Sequence, residues 1–149
     1  MASSSDETKN GTRVVLKPLT IAAQNALHSQ ALVIEYFPFR LGRESRGPDA
    51  GWKRTEDNKE RRTGGQSPTN DLYIWEGGPE YFTSREHLQI EQENGGYALV
   101  DRNSALGTWV EGHLVGGNRK GGKTTLNSGD VIIIGSHHSG FIFKFIVEA

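Results

Sequence analysis

The chain has 149 residues and nearly balanced charge, with 17 lysine or arginine against 18 aspartate or glutamate residues. This length predicts about one domain with a single core. The absence of cysteine excludes disulfides, thiolate metal sites and cysteine nucleophiles, and it fits an intracellular location, cytoplasmic or, in a eukaryote, also nuclear. A protein that follows the nucleic-acid backbone usually has a basic surplus, so any anion site here must be local. No apolar run is long enough to cross a membrane.

A disordered tail and a first strand are predicted at the start of the chain. Residues 1–12 are polar and lack the apolar centre of a secretory signal, so we predict that they are disordered. Residues 13–19, "RVVLKPL", indicate a strand, and residues 20–30 fit either a short helix or a loop. Residues 31–43 contain two extended pieces separated at Pro38, a residue that suits a strand end or an edge strand.

Residues 44–70 differ in composition from the rest of the chain. Charged residues, glycine, proline and serine dominate this segment, and apolar residues are nearly absent. A loop of this length within a compact domain is usually functional or disordered. We therefore predict one domain over residues 13–149 that carries a long, charged, mobile loop insertion at about residues 44–70.

Short strand patterns follow one another closely after the insertion. The predicted strands are residues 71–76, 87–93, 96–101, 107–110, 114–115, 131–135 and 140–148. Asn94-Gly95 and Glu111-Gly112 are turn signals, and Asn-Gly is the strongest short hairpin signal. The basic, glycine-rich residues 118–123, "NRKGGK", are predicted to form a loop. About nine to eleven short strands with little helix predict two packed antiparallel sheets with loops gathered at their ends.

Ser84 and His87 lie just where a predicted strand begins, which raises the question of a hydrolase. A serine beside a histidine can be an activated nucleophile, and Asp101 is in principle the acid that would orient the histidine. The chain has no G-x-S-x-G nucleophile elbow, however. The sequence therefore disfavours an enzyme, and we assign no catalytic residue.

Metal and nucleotide sites are disfavoured as well. The adjacent His137 and His138 point to opposite faces if they lie on a strand, which is a poor arrangement for one ion. Residues 121–124, Gly-Gly-Lys-Thr, lack the complete G-x-x-x-x-G-K-[ST] spacing and the strand-to-helix context of a phosphate loop. We predict neither a metal nor a cofactor.

Groups that bind anions lie at three predicted junctions between loops and strands. Arg43 ends "LGR", Ser84 and Arg85 begin "SREH", and Gly107 and Thr108 lie in "SALGTW". Junctions at one end of an antiparallel sandwich can meet. The planar arginine fork matches phosphate oxygens, and hydroxyl and backbone N–H groups supply further donors. The sequence therefore predicts a small phosphate site in a chain that is otherwise close to neutral.

Segments spread over most of the chain follow one known pattern. They are Leu41-Gly42-Arg43, Asn70-Asp71-Leu72, and residues 84–87, 97–101, 104–112, 126–135 and 141–143. In order and spacing they resemble a forkhead-associated (FHA) domain over roughly residues 31–147, with the long loop inserted after Arg43. Each segment alone is weak evidence for this family, whereas the order and spacing of all the segments together are fairly specific for it.

The resemblance implies an all-β fold, an eleven-stranded antiparallel β-sandwich of the FHA and SMAD-like type with its ligand loops at one end. It implies a module that binds phosphothreonine peptides in Ser/Thr-kinase signalling, and not an enzyme. The implied partners are a phosphothreonine-containing protein or peptide, and a Ser/Thr kinase or its substrate. Neither nucleic acid nor a membrane is an expected partner.

The resemblance also implies roles for individual residues. Arg43 contacts the phosphate or sets the loop, and Ser84 donates its hydroxyl to the phosphate. Arg85 occupies a position where a basic or amide side chain often faces the phosphothreonine. Gly42 lets the backbone approach closely, and His87 holds the loops together through hydrogen bonds.

Three further positions follow from the same resemblance. Gly107 and Thr108 support the loop that faces the peptide. Phe82 lies two residues before Ser84, at a position that helps to select the third residue after the phosphothreonine. Because Phe82 is uncharged, we predict a preference for an apolar side chain there.

The chain departs from the family pattern in the loop before Gly107. Leu106 stands where the family usually has an asparagine that grips the peptide backbone, and Ala105 precedes it. Loss of that clamp is expected to cost on the order of 1–3 kcal/mol, a tenfold to hundredfold loss of affinity, unless Asn103 compensates. The alternative function is therefore a phosphate-independent, FHA-like scaffold that binds a protein partner.

Overall fold

The computed structural model describes residues 12–44, 69–77, 81–136 and 138–148. The elements are β1 (Arg13–Pro18), α1 (Ile21–Leu27), β2 (Leu32–Ile34), β3 (Phe39–Glu44), β4 (Leu72–Trp75), β5 (Leu88–Glu93), β6 (Gly96–Asp101), β7 (Thr108–Val110), β8 (His113–Val115), β9 (Gly122–Leu126), β10 (Val131–Ile134) and β11 (Ile142–Glu148). Residues 1–11 of the predicted disordered tail, most of the predicted insertion and His137 lie outside the described residues.

The strands form two sheets that pack into a sandwich, as predicted. One sheet has the order β2-β1-β11-β10-β7-β8 and the other the order β4-β3-β5-β6-β9. The predicted antiparallel arrangement needs one correction, because β3 and β4 pair in parallel, with Leu41 opposite Leu72. Parallel neighbours require a connection of a dozen or more residues, and the chain between β3 and β4 is long enough to provide it.

The core lies between the two sheets and is filled by alternate side chains of each strand. The largest fully buried side chains are Phe143, Phe145, Leu16, Leu27, Ile34, Leu41, Leu72, Ile74, Leu88, Ile90, Leu99 and Leu126. Burial of each such side chain contributes about 1.5–3 kcal/mol relative to leaving it exposed. Both sheets supply these residues, so the core fixes the two sheets, and therefore the loops at their ends, relative to each other.

The segment that fits either a helix or a loop forms the short helix α1. Thr20 caps its beginning, because the Thr20 hydroxyl accepts the Ala23 N–H at 3.1 Å. His28 ends it in the left-handed conformation, with φ of 55°. The helix buries Ala23, Ala26 and Leu27. In the described part of the chain, no helix is long and apolar enough to cross a lipid bilayer.

The predicted loop over residues 118–123 is wrong in its second half, where β9 begins. Gly122–Leu126 pairs with β6, with Gly122 opposite Asp101 and Leu126 opposite Tyr97. This strand lies at the edge of its sheet and exposes most of its polar side chains. A polar edge strand lacks the apolar alternation from which strands are predicted, which explains the error.

Candidate functional site

Arg43 lies at the end of β3 and is held at its base. Its backbone N–H donates to the Ser84 carbonyl at 2.9 Å, and its Nε donates to the Thr83 carbonyl at 2.9 Å. The centre of its guanidinium lies 4.2 Å from the centroid of the Tyr81 ring, a cation–π contact. No described residue accepts a hydrogen bond from its terminal nitrogens. The fork is therefore oriented by protein contacts, and no contact with the described residues uses its outer donors.

Ser84 lies in the loop of residues 81–87, which we name the Ser84 loop. The Ser84 hydroxyl oxygen accepts the Ala105 N–H at 3.0 Å. Because the oxygen acts as an acceptor in this contact, its own hydrogen can be donated elsewhere, and no described residue accepts it. The hydroxyl thus offers one donor at the point where the Ser84 loop meets the loop of residues 102–107, which we name the Ala105 loop.

Gly42 lies directly beneath the Ser84 loop. A Cβ at this position would be 2.0 Å from the Arg85 carbonyl oxygen and 2.5 Å from the Asn70 Nδ2. The Asn70 amide donates to the same Arg85 carbonyl at 2.8 Å. Any side chain at position 42 would therefore displace the Ser84 loop. The Arg85 side chain is exposed and makes no ion pair with the described residues.

His87 is fully buried and joins the two loops. Its Nδ1 accepts the Ser84 N–H at 2.9 Å, and its Nε2 lies 2.8 Å from the Gly107 carbonyl oxygen. These contacts require a neutral ring that carries its proton on Nε2. Burial lowers the pKa of His87, and the hydrogen bond to Gly107 opposes this only in part. The two contacts connect the Ser84 loop to the Gly107 carbonyl, and the bracing role that the resemblance implies for His87 stays a prediction.

The buried His87 predicts that the protein loses stability in acid. Because its folded pKa lies below the ordinary value of about 6.5, the unfolded chain takes up a proton below that pH while the folded chain does not. The contribution of neutral His87 to the free energy of unfolding is therefore fully present above about pH 6.5, and it is lost as the pH falls toward the folded pKa. We expect urea unfolding at pH 7, 6 and 5 to show a decreasing free energy of unfolding.

The variant His87→Gln should have a shallower pH dependence than the wild type, whatever its absolute stability. His113→Gln is the matched control, because His113 is exposed and forms no part of the loops. Equal slopes in the wild type and in His87→Gln would contradict this prediction.

The Ala105 loop is shaped around the buried carboxylate of Asp101. Its Oδ1 accepts the Ser104 N–H at 2.9 Å, and its Oδ2 accepts the hydroxyls of Ser104 at 2.7 Å and Thr108 at 3.0 Å. The Ser104 hydroxyl oxygen in turn accepts the Gly107 N–H at 2.8 Å. This network sets the position from which Ala105 donates to Ser84. The predicted support residues Gly107 and Thr108 are both part of it.

The remaining predicted residues of the Ala105 loop face outward. Leu106 is 44% exposed, and Asn103 is exposed with φ of 62°. Gly107 is buried with φ of 86°, and a Cβ there would lie 2.7 Å from Leu114 Cδ1, so glycine is required. The structure thus places Leu106 and Asn103 on the surface of the Ala105 loop.

Phe82 is half-buried, and its backbone is fixed by a residue that sequence reasoning did not place in the site. The Glu76 carboxylate is buried and accepts the N–H groups of Phe82 at 2.8 Å and Thr83 at 2.7 Å. Glu76 therefore holds the beginning of the Ser84 loop from behind. An acidic residue directly after the apolar strand "LYIW" is the only signal for this role in the sequence.

Asn70 and Arg102 were also missed as site residues. Asn70 is fully buried, and its Oδ1 accepts from Arg102 Nη1 at 2.5 Å while its Nδ2 holds the Arg85 carbonyl. Arg102 Nη2 also donates to the Thr69 carbonyl at 3.0 Å. The two side chains tie the Ser84 loop to the end of β6. The motif Asn70-Asp71-Leu72 pointed to the segment, but not to this contact.

The contacts do not form a Ser–His–Asp triad. His87 Nδ1 accepts the backbone N–H of Ser84 and not its hydroxyl, and Asp101 accepts from Ser104 and Thr108. Within the described ranges, no three histidine, aspartate or glutamate side chains are grouped to hold a metal ion. The Gly-Gly-Lys-Thr sequence lies at the turn into the edge strand β9, and none of the described residues that follow it form a helix.

Comparison with solved structures supports the sandwich architecture. The FHA domain of CT664 from Chlamydia trachomatis is 17% identical with a TM-score of 0.56, and the alignment covers 92% of this chain and 99% of that one. The kinase-interacting FHA domain of the kinase-associated protein phosphatase KAPP from Arabidopsis is 19% identical with a TM-score of 0.57, covering 93% and 95%. At these identities the likeness shows the fold.

A third similar structure is a larger protein. Mycobacterium tuberculosis EmbR, solved in complex with a low-affinity phosphopeptide, is 20% identical with a TM-score of 0.54, and the alignment covers 92% of this chain. This chain spans only 25% of the length of EmbR. Among curated protein sequences, none matches the chain significantly.

The family comparison agrees with the structural ones. The family model of the FHA domain matches residues 62–135, about half of the chain. This range includes the Ser84 and Ala105 loops, and the described fold is the sandwich of that family. The chain therefore belongs to the forkhead-associated (FHA) domain family.

Proposed function

We propose that the chain is a phosphothreonine-peptide-binding interaction module in Ser/Thr-kinase signalling. The observation that carries the proposal is the pairing of two oriented donors. The Arg43 fork is fixed by Thr83 and Tyr81, and the Ser84 hydroxyl is fixed by the Ala105 N–H. A phosphate carries about −1.5 to −2 charges at pH 7 and accepts hydrogen bonds strongly, so it matches both groups.

Arg85 adds an exposed positive charge on the same loop. Its backbone is fixed through the Asn70 amide, while its side chain extends into solvent. A guanidinium in this position is suited to the peptide flank or to the phosphate itself. In similar structures a phosphopeptide is bound by EmbR, and the KAPP domain is described as interacting with a kinase, which supports the same kind of partner here.

We infer that the module has no catalytic activity of its own. FHA domains are interaction modules, and no base among the described residues is bonded to the Ser84 hydroxyl, since His87 Nδ1 accepts the Ser84 backbone N–H instead. The proposed site needs neither a metal nor a cofactor, since its donors are side chains and backbone N–H groups. A partner in a kinase pathway fits an intracellular location, and we propose that residues 13–149 form the one binding domain.

Leu106 favours a second candidate function, the phosphate-independent scaffold. Its exposed side chain occupies the position of the asparagine that clamps the peptide backbone in the family. The retained Arg43 and Ser84 favour the phosphate-dependent function over this alternative. For the peptide itself, the half-buried Phe82 supports an apolar preference at the third residue after the phosphothreonine.

Phosphate dependence of binding is the test that separates the two functions. We expect fluorescence anisotropy with a degenerate phosphothreonine peptide pool to give micromolar binding, and the unphosphorylated pool to give none at the same protein concentrations. Dephosphorylation of the bound pool should release it. Equal binding of both pools would reject the proposed function and favour the scaffold.

A further inference from the structure

The loop of residues 116–121, which we name the Arg119 loop, lies directly against the Ala105 loop. The Asn118 N–H donates to the Ala105 carbonyl at 2.8 Å, and the Arg119 N–H donates to the Ser104 carbonyl at 2.9 Å. A Cβ at Gly121 would lie 2.6 Å from the Asn103 Oδ1. Three successive residues of the Ala105 loop thus have a neighbour in the Arg119 loop.

The backbone of the Arg119 loop is held in an uncommon conformation. Asn118 and Arg119 both have positive φ, 53° and 60°. A non-glycine residue in the left-handed region costs on the order of 1–2 kcal/mol, and such strain is concentrated at functional sites. The conformation turns both N–H groups toward the Ala105 loop and leaves the side chains of Arg119 and Lys120 exposed.

Arg119 and Lys120 differ from the nearby Lys123 in their partners. Lys123 Nζ lies 2.8 Å from the Glu93 carboxylate and 3.8 Å from Glu91. No carboxylate in the described ranges forms an ion pair with Arg119 or Lys120. Within the described residues the charges of Arg119 and Lys120 are thus uncompensated, whereas the charge of Lys123 is compensated.

The peptide group between Ser104 and Ala105 connects this basic loop to the proposed phosphate site. Its N–H, that of Ala105, contacts the Ser84 hydroxyl, and its carbonyl, that of Ser104, accepts the Arg119 N–H on the other side. The Arg119 loop is thus one peptide group away from Ser84. An extended peptide advances about 3.3 Å per residue, so a residue two to four positions from a phosphothreonine at Ser84 reaches the Arg119 loop.

We propose that Arg119 and Lys120 form a second anion subsite, which binds a negatively charged residue two to four positions from the phosphothreonine, at a position other than the third residue after it. This inference rests on the proposed function. The shared ligand chemistry is an acidic oxygen group, which is either the carboxylate of aspartate or glutamate or a second phosphate. Recognition of two anions at a fixed spacing adds selectivity that Arg43 and Ser84 alone do not supply.

The test compares peptides that differ only in one acidic residue. A phosphothreonine peptide with alanine at the flanking positions is the neutral reference. Aspartate or phosphoserine is placed in turn at each position from two to four residues before or after the phosphothreonine, except the third position after it. We expect at least one placement to bind the wild-type protein about tenfold more tightly than the reference. If phosphoserine improves affinity more than aspartate does, the natural ligand of the subsite is a second phosphate. If both improve it equally, the ligand is a carboxylate.

The variants test whether the gain belongs to the Arg119 loop. The double variant Arg119→Asn with Lys120→Ser removes both charges and keeps a residue that tolerates the left-handed conformation at position 119. Each protein is measured with the acidic and the neutral peptide, and the ratio of the two affinities is compared. We expect the ratio to fall to about one in the double variant and to stay near tenfold in the control variant Lys123→Ala.

Two negative results have different meanings. If the neutral phosphothreonine peptide binds but no acidic placement improves affinity, or if the gain survives in the double variant, the second subsite is rejected alone. If no phosphothreonine peptide binds the wild-type protein, the proposed function is rejected and the subsite with it.

Discussion

Replacing Arg43 with alanine is expected to weaken binding of a phosphothreonine peptide by about a hundredfold. A hydrogen bond to a charged group contributes about 1.5–3 kcal/mol, and each 1.4 kcal/mol changes affinity tenfold. The loss should be near the upper limit because Thr83 and Tyr81 orient the fork before the ligand arrives. Isothermal titration with one phosphothreonine peptide, on the wild type and on Arg43→Ala, measures the change.

Two further variants show that the loss comes from the fork and not from net charge. Arg43→Lys retains the charge but not the planar donors, and it should bind with intermediate affinity. Arg13→Ala also removes one positive charge, but Arg13 lies in β1, where it pairs with Glu148 at 2.9 Å. It should bind like the wild type. If Arg43→Ala were folded and bound within threefold of the wild type, Arg43 would not be the phosphate contact.

Replacing Asp101 with alanine is expected to lower the free energy of unfolding by about 3–4 kcal/mol. The change leaves the Ser104 N–H and the hydroxyls of Ser104 and Thr108 without their acceptor in a buried site. Buried donors without a partner cost about 1–3 kcal/mol each, and the hydroxyls recover part of this by rotating. Denaturant unfolding should show the loss, with a melting temperature lower by about 10 °C.

Asp130→Ala is the matched control for Asp101→Ala. Asp130 also accepts a backbone N–H within a turn, from Asn127 at 2.9 Å, but it is partly exposed and lies outside the two binding loops. We expect this variant to lose less than about 1 kcal/mol, because water replaces the lost acceptor. Similar losses in both variants would mean that the buried network does not stabilise the Ala105 loop as described.

The sandwich could be predicted from the sequence because its central strands carry an unambiguous apolar pattern. Phe143 and Phe145 alternate within β11, and both are fully buried. β9 escaped prediction since an edge strand exposes polar side chains and leaves no such pattern. The parallel pairing of β3 with β4 escaped it as well, because residue patterns do not show the direction in which neighbouring strands run.

The candidate site also contains residues that could be predicted from the sequence and residues that could not. Arg43 and Ser84 stand within short motifs at strand junctions, so their proximity could be predicted. Glu76 could not be assigned, because its role consists of two backbone hydrogen bonds that exist only after the loop folds onto the strand end. The contact between Asn70 and Arg102 joins residues far apart in sequence. The residues around Asn70 do not indicate a contact with Arg102, and those around Arg102 do not indicate one with Asn70.

The pairing of the first strand with the last has a practical consequence for protein engineering. Arg13 lies opposite Glu148, and these residues are at the end of the sandwich away from Arg43, Ser84 and Ala105. The points where the described fold begins and ends are therefore neighbours. A short linker could join them in a circularly permuted sensor, and a fluorescent protein fused at either point would leave the ligand loops unobstructed.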